Sequence, residues 1–282
     1  MSLSERPKVS VVTVCFNSEE FLERTIKSVL SQTYEDIEYI IIDGGSKDRT
    51  LEILDKYKSK IGYLLSEQDE GIFDAMNKGI IASKGEILCF LNSDDYFYNI
   101  DAVKNAVDFF KKRKKVDFIY GDMLYHDPRA KITWRYRYPR FIMKIHFIGD
   151  SIGHPATFFS RAAFEKTGYY DTRFKIAGDC EWFLRALYRK RSRAMYTGQI
   201  VSVFQYGGIS NSDAHRKLRL MERKMLFEMY FNFFELLLAK ILNFILFGDL
   251  FRSIAKFILR PKGYNFLKNI KRNSFSSFRE EI

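Results

Sequence analysis

GEILCFLNSDDYF, residues 85–97, joins an apolar run to two adjacent carboxylates. The run Ile87–Leu91 breaks off at Asn92, Ser93, Asp94 and Asp95, which predicts a buried strand delivering both acids to the edge of a sheet. Ligands of open α/β sheets collect at that edge. Neighbouring carboxylates are costly to ionise together unless a cation or an array of donors lies between them. A divalent metal carrying a diphosphate satisfies both, whereas an isolated Asn-Ser-Asp-Asp is more often a plain turn. The flanking segments decide between the two.

Upstream, VSVVTVCF (9–16) is the near-continuous β-branched run of a central parallel strand. Asn17 and Ser18 end it and cap a helix, SEEFLERTIKSVLSQT, with acids in its first turn. A second buried strand, Ile37–Ile42, ends in Asp43, and GGSKDRT turns the chain into a helix over about 48–57. This βαβα order predicts an α/β fold with a doubly wound, mostly parallel sheet. A short strand at Tyr63–Ser66 leads to a helix from Gly71, whose Ile72, Ala75, Met76, Gly79 and Ile80 share one face. Asp43 stands where nucleotide-binding sheets hold a ribose or base, and helix capping explains it equally well. Asp69, just before the third helix, suits a base or ribose, and Lys78 a phosphate; a cap and a solvated face are the plainer readings. No G-x-G-x-x-G or G-x-x-x-x-G-K-[ST] loop occurs, so dinucleotide oxidoreduction and P-loop chemistry are unsupported.

With 282 residues, 46% hydrophobic and 16% aromatic, the chain is long and apolar enough for a large core, and no internal repeat stands out. Cys15, Cys89 and Cys180 have no metal spacing and read as buried small hydrophobes in a reducing compartment. MSLSERPK offers no apolar segment before the first strand, so the expectation is a cytoplasmic protein. The net charge of +11 is concentrated at the end, where residues 211–282 hold fourteen Lys/Arg against seven Asp/Glu. Such a balance suits nucleic acid, anionic lipid or a phosphorylated substrate.

VSVVTVCFNSEEFLERTIKSVLSQTY, IIIDGGSKDRT and DEGIFDAMNKGIIASKGEILCFLNSDD, in that order, resemble the amino-terminal half of the family 2 glycosyltransferases, whose fold is GT-A. The resemblance implies a catalytic domain over 1–210, with a nucleotide-sugar half at about 8–100 and an acceptor half at about 101–210. It implies that Thr13 and the edge Cys15–Asn17 hold the nucleotide base, that Asp43 contacts uracil or ribose, and that Asp69 and Lys78 lie in a third nucleotide-contacting segment. Asp94 and Asp95 match the family's D-x-D-type motif, which holds Mg²⁺ or Mn²⁺ on the sugar-nucleotide diphosphate. Position 92, often Asp in that motif, is Asn here. Asp95 is thus the first expected metal ligand, with Asp94 as a second or as a contact to the sugar or ribose.

In the acceptor half, RAKITWRYRYPRF (129–141) alternates so that Trp134, Tyr136 and Tyr138 share one strand face and Arg135 and Arg137 the other. A surface for a sugar phosphate and an ordinary edge strand are equally good readings. His154 precedes Pro155 in an expected turn, where a structural role outweighs a catalytic one. Asp179 opens the helix of AGDCEWFLRALYRK. By the resemblance, Asp179 with Arg185 matches the segment carrying the general base; the family's preceding Glu is Gly178 here, and Glu181 is the reserve. Gly207 and Gly208 suggest a loop over the donor, and His215 is a candidate third metal ligand.

Residues 211–282 form a basic, apolar helical region. LFEMYFNFFELLLAKILNFILFGDLF (226–251) is interrupted by Glu228, Glu235 and Lys240, which predicts a helix lying on an anionic membrane surface, or one packed on the domain, and not a spanning helix. The resulting expectation is an inverting, metal-dependent glycosyltransferase moving a sugar from a nucleotide-sugar, UDP-linked, to a hydroxyl of a saccharide or lipid-linked saccharide, in cell-surface polysaccharide synthesis. Its place is the cytoplasm, peripherally on the inner face of the cytoplasmic membrane, with no nucleic-acid partner. The alternatives are a sugar nucleotidyltransferase, whose Gly-rich, Arg-containing loop is replaced by CFNSEEF, and a non-catalytic scaffold of the same fold.

Overall fold

Val9–Cys15 (β1) is buried at every position, in keeping with its near-continuous β-branched and apolar run. The computed structural model describes residues 3–113, 115–128, 130–205 and 215–238. After β1 come Leu22–Leu30 (α1), Ile37–Asp43 (β2), Thr50–Tyr57 (α2), Tyr63–Ser66 (β3), Ile72–Ala82 (α3) and Ile87–Phe90 (β4). Tyr96–Phe97 (β5), Ala102–Lys112 (α4), Phe118–Asp127 (β6), Ile132–Tyr136 (β7) and the short His146–Gly149 helix (α5) follow. The chain continues through Thr157–Ser160 (β8), Arg161–Thr167 (α6), Gly178–Leu184 (α7), Ala194–Gln205 (β9) and Arg216–Tyr230 (α8).

The strands form one sheet in the order β3-β2-β1-β4-β8-β6-β9-β5, with β7 pairing on β6. The β3-β2-β1-β4 half is wholly parallel. Antiparallel β8 joins it to the parallel pair β6 and β9. Six strands therefore run one way, which is the mostly parallel α/β sheet expected from the sequence. Parallel register places Cys15 beside Asp43 and Asp43 beside Ser66, so the first three strands end together at one edge. α3 lies against this half through Gly79, where an added Cβ would come 2.4 Å from Val12 Cγ1.

The aromatic content settles in the core behind the other half. Trp182 of α7 meets Phe159 at 5.1 Å and Phe164 at 5.0 Å between ring centroids, and its indole N–H donates to Gly168 O at 2.8 Å. Phe90 closes this cluster from β4 against Phe159, Phe164 and Tyr170. The strand that carries the acidic pair and the helix that carries Asp179 thus share one core.

The chain divides into two units, Met1–Phe141 with Ile152–Arg219, and Ile142–Ser151 with Leu220–Ile282. In the second, Lys144 Nζ stands 2.9 Å from both carboxylate oxygens of Glu235. No helix among the described residues is long and apolar enough to cross a membrane. The Gly207–Gly208 loop, and all of the expected membrane-surface helix beyond residue 238, lie outside the described residues.

The strand expected at 129–141 is β7, but its aromatic face is no open platform. Tyr136 and Tyr138 are buried against one another at 4.8 Å, Tyr136 also meets Tyr125, and Trp134 stacks on Tyr125. Arg135 Nε donates at 2.7 Å to the buried Asp122. The pattern is amphipathic in the expected sense, but the aromatic rings pack on one another and on Tyr125 of the paired strand β6 instead of standing free for a sugar.

Candidate active site

The acidic pair sits where β4 ends, and its loop is braced from α1. Thr25 Oγ1 donates to Ser93 O at 2.8 Å and Asp95 O at 2.6 Å, and Arg24 Nη2 donates to Asp94 O at 2.8 Å. Each backbone carbonyl from 93 to 95 is therefore held by a side chain of α1. Arg24 also reaches Gln205 Oε1 at 3.1 Å and packs 4.3 Å over the Tyr96 ring. Gln205 in turn gives its backbone N–H to Asp95 Oδ1 at 3.2 Å. Arg24, Thr25 and Gln205 were invisible in the sequence, because nothing local marks a residue whose partners lie on another element.

Asp95 is fully buried, and its Oδ2 has no hydrogen-bond partner. Burial, then the neighbouring Asp94 charge, pushes the Asp95 carboxyl well above the usual carboxylate range. Burial also raises Asp94, with Arg24 and His154 pulling the other way. A buried lone pair with no donor, beside a second carboxylate, is the environment a cation relieves. Asp95 and Asp94 therefore fit a divalent metal. No group of three metal-ligating side chains gathers among the described residues, so the structure does not bring His215 to the pair as a third protein ligand.

The residues expected to contact the nucleotide lie on β1, β2, the segments after β1 and β3, and α3, and several are occupied by one another. Asp43 Oδ2 accepts from Gly45 N (3.2 Å), Ser46 N (3.1 Å) and Ser66 Oγ (2.6 Å), and Oδ1 from Ser46 Oγ and, at 3.7 Å, Cys15 Sγ. Fully buried, Asp43 shapes the 44–46 loop. Burial first, then the Asp43 charge, pushes the Cys15 thiol up, so it is not a reactive nucleophile. Thr13 is buried with its hydroxyl 3.1 Å from Tyr39 OH. Asn17 takes a left-handed conformation (φ 48°) that asparagine tolerates, and its Oδ1 accepts from Lys47 N at 2.8 Å. Asp69 Oδ1 accepts Gly71 N at 2.8 Å, and a Cβ on Gly44 would lie 2.5 Å from Asp69 Oδ2. Gly44 is thus what lets Asp69 approach β2. Lys78 is committed elsewhere: its Nζ pairs with Glu67 at 2.8 Å and Asp74 at 3.2 Å.

The helix α7 begins at Gly178, whose second α-hydrogen leaves room for Phe73 where a Cβ would stand 2.7 Å from the ring. Asp179 is half-buried at this helix start; its Oδ1 accepts Cys180 N at 2.7 Å and its Oδ2 faces His154 Nδ1 at 3.1 Å. The other ring nitrogen of His154 meets Asn92. Two hydrogen-bonded side chains therefore span from the acidic loop to Asp179. Glu181 departs from its reserve role. It is buried and forked by Arg185, whose Nε is 3.0 Å and Nη2 2.8 Å away, and Arg185 also donates to Thr167 O and Tyr169 O. Removing Arg185 would strand a buried carboxylate, at a cost of about 3–5 kcal/mol. Arg185→Ala is accordingly expected to lower the unfolding temperature by roughly 10 °C in a thermal melt; an unchanged Tm would deny the pair its structural role.

The sequence matches the family model described as glycosyl transferase family 2 over residues 10–173. It is 38% identical over 187 residues to an uncharacterized glycosyltransferase of Mycobacterium tuberculosis, covering 65% of this chain and 70% of that one. Among solved structures, the mannosyltransferase PcManGT of Pyrobaculum calidifontis, in complex with GDP-Man and Mn²⁺, superposes with a TM-score of 0.64 at 17% identity, covering 94% of this chain and 80% of that one. S. aureus TarS 1–349 in complex with UDP-GlcNAc gives 0.59 at 18% identity, over 87% and 77%. This chain spans 46% of the longer TarS structure.

Proposed function

We propose, from the premise that the chain belongs to glycosyl transferase family 2 and is an enzyme that transfers sugars, that it is an inverting, metal-dependent transferase taking a UDP-linked sugar to a hydroxyl of a saccharide or lipid-linked saccharide. The observation that supports this reading is the hydrogen-bonded span Asn92–His154–Asp179, which links a carboxylate of α7 to the loop of Asp94 and Asp95. Asp179 would accept the proton of the acceptor hydroxyl as that oxygen attacks the anomeric carbon. The bond from that carbon to the diphosphate oxygen breaks with its electron pair leaving on the nucleoside diphosphate. A single displacement inverts the centre and turns an α-linked donor into a β-linkage. Asp95, with Asp94, would hold Mn²⁺ or Mg²⁺, which when bound neutralises the charge on the departing diphosphate. Arg24 and Thr25 keep these acids in place through the backbone, and Asp69 beside Gly44 is the carboxylate left for the nucleoside.

A role in cell-surface polysaccharide synthesis at the membrane draws on the basic charge of residues 211–282 and on the exposed Phe233 and Phe234 of the second unit. The deciding experiment is nucleoside diphosphate release from a panel of UDP-, GDP- and dTDP-sugars with Mn²⁺ or Mg²⁺, alongside calorimetry of donor binding. One donor turned over only with metal is the expected result. Neither release nor binding anywhere in the panel would refute the proposal in favour of a scaffold.

A further inference from the structure

We infer that His154 is a positioning residue that aims the Asp179 carboxylate, and that Asn92 fixes which nitrogen of its ring carries the proton. This rests on Asp179 as general base. His154 Nδ1 lies 3.1 Å from Asp179 Oδ2, while Nε2 lies 3.0 Å from Asn92 Nδ2 and 3.3 Å from Asn92 Oδ1. A carboxylate only accepts, so Nδ1 carries the hydrogen. A neutral ring then presents a lone pair at Nε2, which needs a donor, and the Asn92 amide supplies one. An aspartate, the frequent residue at this point of the family's motif, has no such hydrogen.

The ring is held firmly enough to aim another group. It sits on the His154–Ala156 turn, where Pro155 restricts the backbone and Ala156 N donates to Gly153 O at 3.1 Å. Thr157 Oγ1 caps the same carbonyl at 2.9 Å. Gly153 has no space for a side chain, since a Cβ there would lie 2.3 Å from Met123 Cε and 2.6 Å from Tyr138 OH. The buried Tyr138 and Asp122 network behind β7, which offers sugars no surface, therefore backs the turn that carries His154. With Cys180 N on Oδ1 and His154 on Oδ2, both oxygens of Asp179 are placed, and lone pairs remain on each for an acceptor hydroxyl.

The first test is the tautomer. Nitrogen-15 NMR of the full chain, which has four histidines, with the His154 signals assigned by their loss in His154→Asn, is expected to show hydrogen on Nδ1 and a lone pair on Nε2 near pH 8. An Nε2–H tautomer in the native chain overturns the inference. The second test is kinetic, using the UDP-sugar that the donor panel selects. His154→Leu is expected to lower kcat about 100-fold, with donor KM and the affinity for UDP with Mn²⁺ within about twofold, because a misaimed base loses turnover and not donor binding. His154→Asn, whose amide N–H reaches the place of Nδ1–H, should recover roughly tenfold of that loss. If His154→Leu does not fold, the His154→Asn comparison and the tautomer still decide. Full activity in His154→Leu while Asp179→Asn is dead overturns this role and leaves the base assignment standing. An active Asp179→Asn overturns the base assignment, and this role with it.

Discussion

Asp95→Asn is expected to cut sugar transfer by about 1000-fold and yet to make the metal-free protein more stable at pH 7. The two effects have one cause. The buried Asp95 carboxyl has an oxygen without a donor and binds its proton more tightly in the folded chain than the ordinary value of about 3.9 allows once unfolded. A raised carboxyl contributes with the opposite sign to a salt-bridged one: the unfolded chain releases the proton first. Stability therefore falls as pH climbs from that unfolded value through the raised folded one, and the deficit is complete above it. Asparagine keeps an oxygen for Gln205 N and removes the charge. Melts at a series of pH values should show the variant drawing ahead of the native chain as pH rises, by roughly 3 °C or more at pH 7 for each kcal/mol recovered. Mn²⁺ should raise the Tm of the native chain and leave that of the variant unchanged. A variant that melts below the native chain at pH 7, or that Mn²⁺ stabilises equally, would make Asp95 a structural carboxylate.

That acid was legible in the sequence, and so was the half of the fold that presents it. Local order explains why. β1 and β4 are buried at every position and β2 from Tyr39 on, so each reads as a largely apolar run, and the polar residues Asn17, Asp43 and Asn92 close or follow these strands. The supports were not legible, because they are long-range. Arg24 reaches Asp94 over 70 residues and Gln205 over 181, and no periodicity records such pairings. The Trp134, Tyr136 and Tyr138 face failed for a related reason. Alternation tells that a strand has two unlike faces, but the strand that pairs beside it, here β6 with Tyr125 against Trp134 and Tyr136, is chosen by topology. His154 lay between: the turn at Pro155 was expected, while its contacts with Asn92 and Asp179, 62 and 25 residues away, had to be seen. Lys78 shows the converse, a cation at a promising position whose charge is matched inside its own helix and by the preceding segment.

Asp179→Asn should abolish transfer, by about 10³–10⁴-fold in kcat, while binding of the nucleotide-sugar with Mn²⁺ stays within about twofold. The separation follows from where the carboxylate stands. Asp179 opens α7, whereas the residues proposed to hold the donor close or follow β1, β2 and β4, so on the proposed mechanism its charge matters when the acceptor proton must leave and little before. Glu181→Gln is the control that tells the two acids of α7 apart. Its carboxylate is buried and taken by Arg185, so the amide is expected to lower Tm while the folded fraction keeps its turnover. Stopped turnover in Glu181→Gln, with Asp179→Asn active, would move the base two residues along the helix and require the Arg185 fork to open on substrate binding. Loss of donor binding in Asp179→Asn would instead place this carboxylate on the transferred sugar, and the search for the base would then turn to the other titratable groups that face the acidic loop.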